Sequence, residues 1–247
     1  MRIRKVIIIL GIAVVSVSWL FMSGFEFSWQ KEPVHIPAFT KTPSPKTSPA
    51  SGKTTIQFNV PFSPQAPFGE WADSRQQDGC EEASTIMAMH WVKGDMSLTA
   101  EEAKSEILAI SAWEQEKYGS YHDTSAKDTA KRIFGEYYNH KNTRVEGGIT
   151  ADDIIKELED GNLVVVPADG RALGNPHFTQ PGPERHMLVI IGYDYSKNEF
   201  ITNDPGTKFG KSYKYDKDIL FNAIRDYPTG DHVPITSRSK NMIVVEK

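Results

Sequence analysis

The sequence holds one cysteine, Cys80, and so forms no intramolecular disulfide. It also lacks a Cys-x-x-Cys pair, a His-Glu-x-x-His run and an Asp-rich calcium loop, and its seven histidines are scattered. No structural or catalytic metal is expected, and no cofactor. A basic excess is missing too: the formal net charge is −4, and the only dense basic group is Arg2, Arg4 and Lys5. Without those three the chain carries 25 basic against 32 acidic residues, which argues against nucleic acid as a partner. No internal repeat is visible. Long apolar runs are absent apart from Val6 to Met22, seventeen residues without a charge.

That run, behind its basic flank, predicts a signal anchor or signal peptide over residues 1–25. No small-x-small cleavage site follows it, which favours a single-pass anchor at the cell membrane over a secreted product. The basic flank stays cytoplasmic and places the rest of the chain outside. Residues 26–54 carry prolines at 33, 37, 43, 45 and 49 among Ser, Thr and Lys. So few large apolar groups cannot offset the entropy of ordering, and the segment reads as an extended linker. Residues 55–247 are then one folded domain.

Within it, Ile56, Phe58 and Val60 alternate like a half-buried strand. Ala83, Ile86, Met87 and Trp91 recur at helical spacing, which puts Cys80 in the first turn of a helix. Thr99 with Glu102 forms a capping box that opens a helix to about Lys117. A second helix starts between Thr124 and Asp128 and ends near Tyr138; a third starts at Thr150 with Asp153 and is stopped by Gly161. Leu163 to Val166 is β-branched and apolar, as a central strand is. A loop from Arg171 to Glu184 follows, then strands at 187–194, 199–203, 211–215 and 241–246, with a helix at 217–226. Helices first and strands later predict an α+β fold.

The chemistry gathers around Cys80. A helix N-terminus offers unpaired N–H groups and the positive end of a dipole, which favour a thiolate and an adjacent oxyanion. The competing reading of a lone cysteine is a small buried hydrophobe. His186 opens an apolar strand and can take a thiol proton; Asp204, at the end of the next strand, can orient its ring. Asn203 is the alternative orienter, and since neighbours on a strand face opposite ways only one of the two reaches His186. His177 is the rival base, whereas His90 lies ten residues along the helix from Cys80, out of reach.

The Gly79-Cys80 helix start, the strand from His186 to Asp194 and the Asn203-Asp204-Pro205-Gly206 turn resemble the C39-like branch of the papain-like cysteine peptidases. The resemblance covers about residues 57–247. It implies a papain-like fold, with a helical part carrying the cysteine followed by an antiparallel sheet carrying His and Asp. It implies a peptide or protein substrate, catalytic Cys80, His186 and Asp204, and a glutamine that donates to the oxyanion. Gln65 matches the family's Val-Pro-aromatic-x-x-Gln stretch, and Gln77 is the alternative. In this picture Cys80 is a thiolate beside an imidazolium. Asp78, Glu81 and Glu82 oppose such a thiolate; as first-turn acids they are expected to start the helix and point to solvent. Two rival functions remain: a binding module that keeps the groove without the chemistry, and an acyl or peptidyl transferase on the same residues.

Overall fold

The computed structural model describes residues 54–247. The expected membrane segment at 1–25 and all but the last residue of the expected linker lie outside them.

Six antiparallel strands pair in the order β2-β7-β3-β4-β5-β6. In chain order these are β2 (Thr143–Gly147), β3 (Leu163–Ala168), β4 (His186–Asp194), β5 (Glu199–Asn203), β6 (Tyr213–Asp216) and β7 (Asn241–Val245). A seventh, β1 (Thr55–Gln57), pairs with the far half of β4, where Thr55 faces Asp194. The main chain of β1 passes so close that a Cβ on Gly192 would lie 2.2 Å from Ile56 O, which is why that position carries no side chain. The strand expected at 55–60 is therefore short: after Phe58 N–H bonds to Ile191 O at 2.8 Å the chain leaves the sheet.

Helices cover both faces. On one lie α2 (Cys80–Lys93), α3 (Ala100–Tyr118) and α4, which starts at Ala126–Asp128 and continues as a π-helix over Thr129–Tyr137. On the other lie α5 (Ala151–Glu159) and α7 (Lys217–Ala223). Two four-residue turns, α1 (Ser74–Gln77) and α6 (Gly170–Leu173), start from the caps Asp73 and Asp169. Strand β4 is buried on both faces: Met187, Val189 and Ile191 meet Met87, Ala88 and Trp91 of α2, while Leu188 and Ile190 meet Ile154 and Leu158 of α5 and Leu220 of α7. Each such side chain contributes roughly 1.5–3 kcal/mol, so this strand and its two covers fix the domain.

The expected α+β order holds, and the capping boxes at Thr99 and Thr150 are both formed. Strand β2 was not legible. Thr143-Arg-Val-Glu-Gly147 has one large apolar residue, because it is an edge strand held partly by charge: Arg144 pairs with Glu146, Glu157 and Glu246.

Between α2 and α3, Ile86, Ile107 and Ile110 seal in two carboxyl groups. Glu82 accepts from Ser111 Oγ at 3.1 Å through one oxygen. Its other oxygen and both oxygens of Glu114 have no hydrogen-bond partner among the described residues. Burial, then the Glu114 charge, raises Glu82 well above its ordinary 4.5; burial, then the Glu81 charge, raises Glu114 to about 8. Both are neutral in the fold at a pH where the unfolded chain has ionised them. Their contribution is fully present below about 4.5 and is lost as pH rises through the folded values. Thermal melting followed from pH 5 to 9 should show a falling Tm, and Glu114→Gln should flatten that slope. A slope identical to wild type would remove the pair from the account; each kcal/mol is worth about 2–4 °C in a domain of this size.

Candidate active site

Cys80 is the first residue of α2 and His186 the first of β4. One turn beyond Cys80, Ser84 Oγ donates to Met187 O at 3.1 Å, clipping the helix to the strand one residue past the histidine. Both residues line a cleft of about 1140 Å³. Its other walls are the 65–71 loop, the loop that leads to His186, and the turn after β5.

His186 Nε2 lies 2.8 Å from Asp204 Oδ1, and both residues are buried. This leaves Nδ1 as the ring nitrogen without a hydrogen bond among the described residues. Asp204 is further held by Tyr215 Oη at 2.6 Å, by Gly206 N–H at 3.0 Å and by Asn175 Nδ2 at 3.5 Å. Burial alone would raise the Asp204 carboxyl; the His186 charge and these donors hold it below its ordinary value. Asn203 turns to the opposite face, where it donates to Val60 O and Pro61 O. Gly206 makes room for the ring: a Cβ there would stand 2.9 Å from His186 Cε1 and 2.8 Å from Phe178. Phe178 packs edge-on against the imidazole at 5.3 Å.

The surroundings of Cys80 differ from expectation. Glu81 and Glu82 do not point to solvent; they are 3% and 1% exposed. The first turn of α2 is buried throughout, and its carboxyl groups are met by Ser111 of α3, by Thr124 before α4 and by Tyr227 after α7. Cys80 Sγ donates to Glu81 Oε2 at 3.0 Å. Burial, then the Glu81 charge, pushes the thiol well above its ordinary 9.0. Burial, and then the Glu81 carboxylate, thus favour a neutral thiol over a resting thiolate–imidazolium pair, against the pull of the helix terminus. Asp78 is half-buried and its carboxyl is raised, by burial and then by Asp123.

Gln65 lines the cleft, but its Nε2 donates to Gln76 O at 3.0 Å and Gln77 O at 2.6 Å, which takes both amide hydrogens. Gln77 is exposed, lines the same cleft, and its side chain makes no hydrogen bond within the described residues. His177 is exposed on the rim, its ring 4.7 Å from that of Phe209. His90 sits with Asp95 and Glu106. Sequence reasoning missed Tyr215, Asn175 and Gly206, which fix the Asp204–His186 pair. Alternation along β6 puts Tyr215 inward, but only the strand register brings its hydroxyl to Asp204.

No curated protein matches this sequence significantly. Among solved structures, the chain is similar to a candidate C39-like peptidase from Bacillus anthracis, with a TM-score of 0.51 at 15% identity. The match covers 79% of this chain and 98% of that one, a likeness of fold. The family model for the Peptidase_C39 like family matches residues 57–227, a span that holds Cys80, the His186 strand and Asp204. With most of the described domain inside that match, the chain belongs to the Peptidase_C39-like family.

Proposed function

We propose that this protein is a cysteine peptidase, or a related amide hydrolase, with Cys80 as nucleophile, His186 as base and Asp204 as its orienter. The observation that carries the reading is the buried 2.8 Å contact between His186 and Asp204, on the same cleft as a cysteine at a helix N-terminus. In this reading the thiol leaves Glu81 and gives its proton to His186 Nδ1. The ring accepts the proton as sulfur bonds to the substrate carbonyl, then gives it to the leaving amine as the C–N bond breaks. Water repeats the sequence on the thioester: its proton goes to the ring, its oxygen to the acyl carbon, and the thiol is restored. The Cys80 N–H opens α2 without an intrahelical acceptor and stabilises the oxyanion. Gln77 is the second donor in this reading, since the amide hydrogens of Gln65 are taken.

The exposed Phe and Trp side chains among the described residues are Phe68, Trp71 and Phe209, and all three line the cleft. Their faces suit peptide substrates with large apolar or aromatic side chains. The apolar run before residue 25 supports a membrane-anchored domain acting outside the cytoplasm, or a secreted one if that run is removed.

A diverse peptide mixture, analysed by mass spectrometry, should show cleavage that Cys80→Ala abolishes. His186→Ala and Asp204→Ala should each lower kcat by about 10²-fold or more. Cleavage indifferent to Cys80 would sink the hydrolase, an intact mixture with tight peptide binding would favour the binding module, and products capped by an added amine would favour a transferase. Gly206→Ala should also cost about 10²-fold in kcat, through a displaced imidazole, while the Tm stays near wild type. Full activity in that variant would show that the ring does not need its place against the turn.

A further inference from the structure

One contact of Cys80 is given no role in the bond-making and bond-breaking steps of the hydrolytic cycle. Glu81, which accepts the thiol through Oε2, is held firmly at its other oxygen. Oε1 accepts from Thr124 N–H at 3.1 Å and from the Tyr227 hydroxyl at 2.8 Å. These donors come from the segment before α4 and from the segment after α7, and Tyr227 is itself buried. No salt bridge to Glu81 occurs among the described residues, so its charge is answered by neutral donors and by the thiol. A structural carboxylate would not need the thiol as a third partner. A nucleophile would not ordinarily be turned towards an anion.

We propose that Glu81 is a positioning residue for the Cys80 nucleophile: its carboxylate holds the resting thiol as a neutral S–H donor and sets how readily the proton is released. The proposal rests on the reading of Cys80 as nucleophile. An ionised Glu81 opposes a thiolate at contact distance. If the carboxylate takes the thiol proton, the O–H it gains donates back to the thiolate, so that one proton moves from sulfur to oxygen with no change in total charge. The charged and titratable groups facing Glu81 are Cys80 and Glu82 from its own helix, Glu114 from α3, Asp123 from before α4 and Tyr227 from after α7. Asp123 is in turn paired with Arg185 at 3.4 Å and His232 at 3.1 Å. Burial raises Glu81 to about 7, against the lowering effect of the Cys80 hydrogen bond. As pH rises through that value the carboxylate forms and the thiol is held more strongly.

The test is iodoacetamide alkylation of Cys80 in the full-length protein from pH 6 to 10, read by mass spectrometry. Glu81→Gln should alkylate at least about tenfold faster than wild type at pH 7.5, the effect of one pKa unit. Tyr227→Phe, which removes a donor to the carboxylate and raises it, should fall between the two. A folded Glu81→Gln variant with a wild-type or slower profile overturns the proposal. If that variant does not fold, Tyr227→Phe decides, and equality with wild type overturns it. Hydrolysis lost in His186→Ala alongside unchanged alkylation in Glu81→Gln leaves the triad and removes the Glu81 role. Faster alkylation in Glu81→Gln alongside hydrolysis indifferent to His186 does the reverse.

Discussion

The site depends on the seat of α2 against β4. Cys80 and His186 stand 106 positions apart in the sequence, and each is the first residue of its element. Apolar packing of Met87, Ala88 and Trp91 on Met187, Val189 and Ile191 sets the distance between helix and strand. The single hydrogen bond from Ser84 to Met187 O sets their register. Packing alone would tolerate a slide along the strand; a buried polar contact does not, because a slip leaves a carbonyl and a hydroxyl unsatisfied. The proposed nucleophile and base are therefore placed by a largely apolar contact between helix and strand.

The two carboxylates that touch the site work in opposite directions. Asp204 is met by a ring nitrogen, a phenol and a backbone N–H, and stays ionised although it is fully buried. Glu81 is met by a phenol, a backbone N–H and a thiol, and is raised. The difference lies in what faces each group. Asp204 has an imidazole that can carry positive charge, whereas Glu81 has Asp123 and Glu82 nearby and no salt bridge among the described residues. One carboxylate favours charge on the proposed base, and the other disfavours charge on the proposed nucleophile.

Much of this was legible in the residues. Capping boxes at Thr99 and Thr150 depend on side chains three positions apart, so local sequence fixes them. The strand opened by His186 and the turn after Asn203 could be read from β-branched runs and proline. The opposite facing of Asn203 and Asp204 follows from the pleat alone. What stayed hidden depends on distant chain. Whether Glu81 and Glu82 meet water is decided by α3 and by Tyr227, 146 positions on from Glu81. The engagement of Gln65 is decided by carbonyls eleven and twelve residues away, in a turn too short to show a pattern. Strand β2 carries too little apolar character to be seen without its partner β7.

The place where the chain enters the sheet has a mechanical meaning. Thr55 pairs with Asp194, at the opposite end of β4 from His186. Eight residue steps at about 3.4 Å put that entry point roughly 27 Å from the histidine. A pull on Thr55 is borne first by its pairing with β4, a strand in the middle of the sheet. The end of β4 that carries His186 and the cleft is thus remote from the point where the chain enters the sheet.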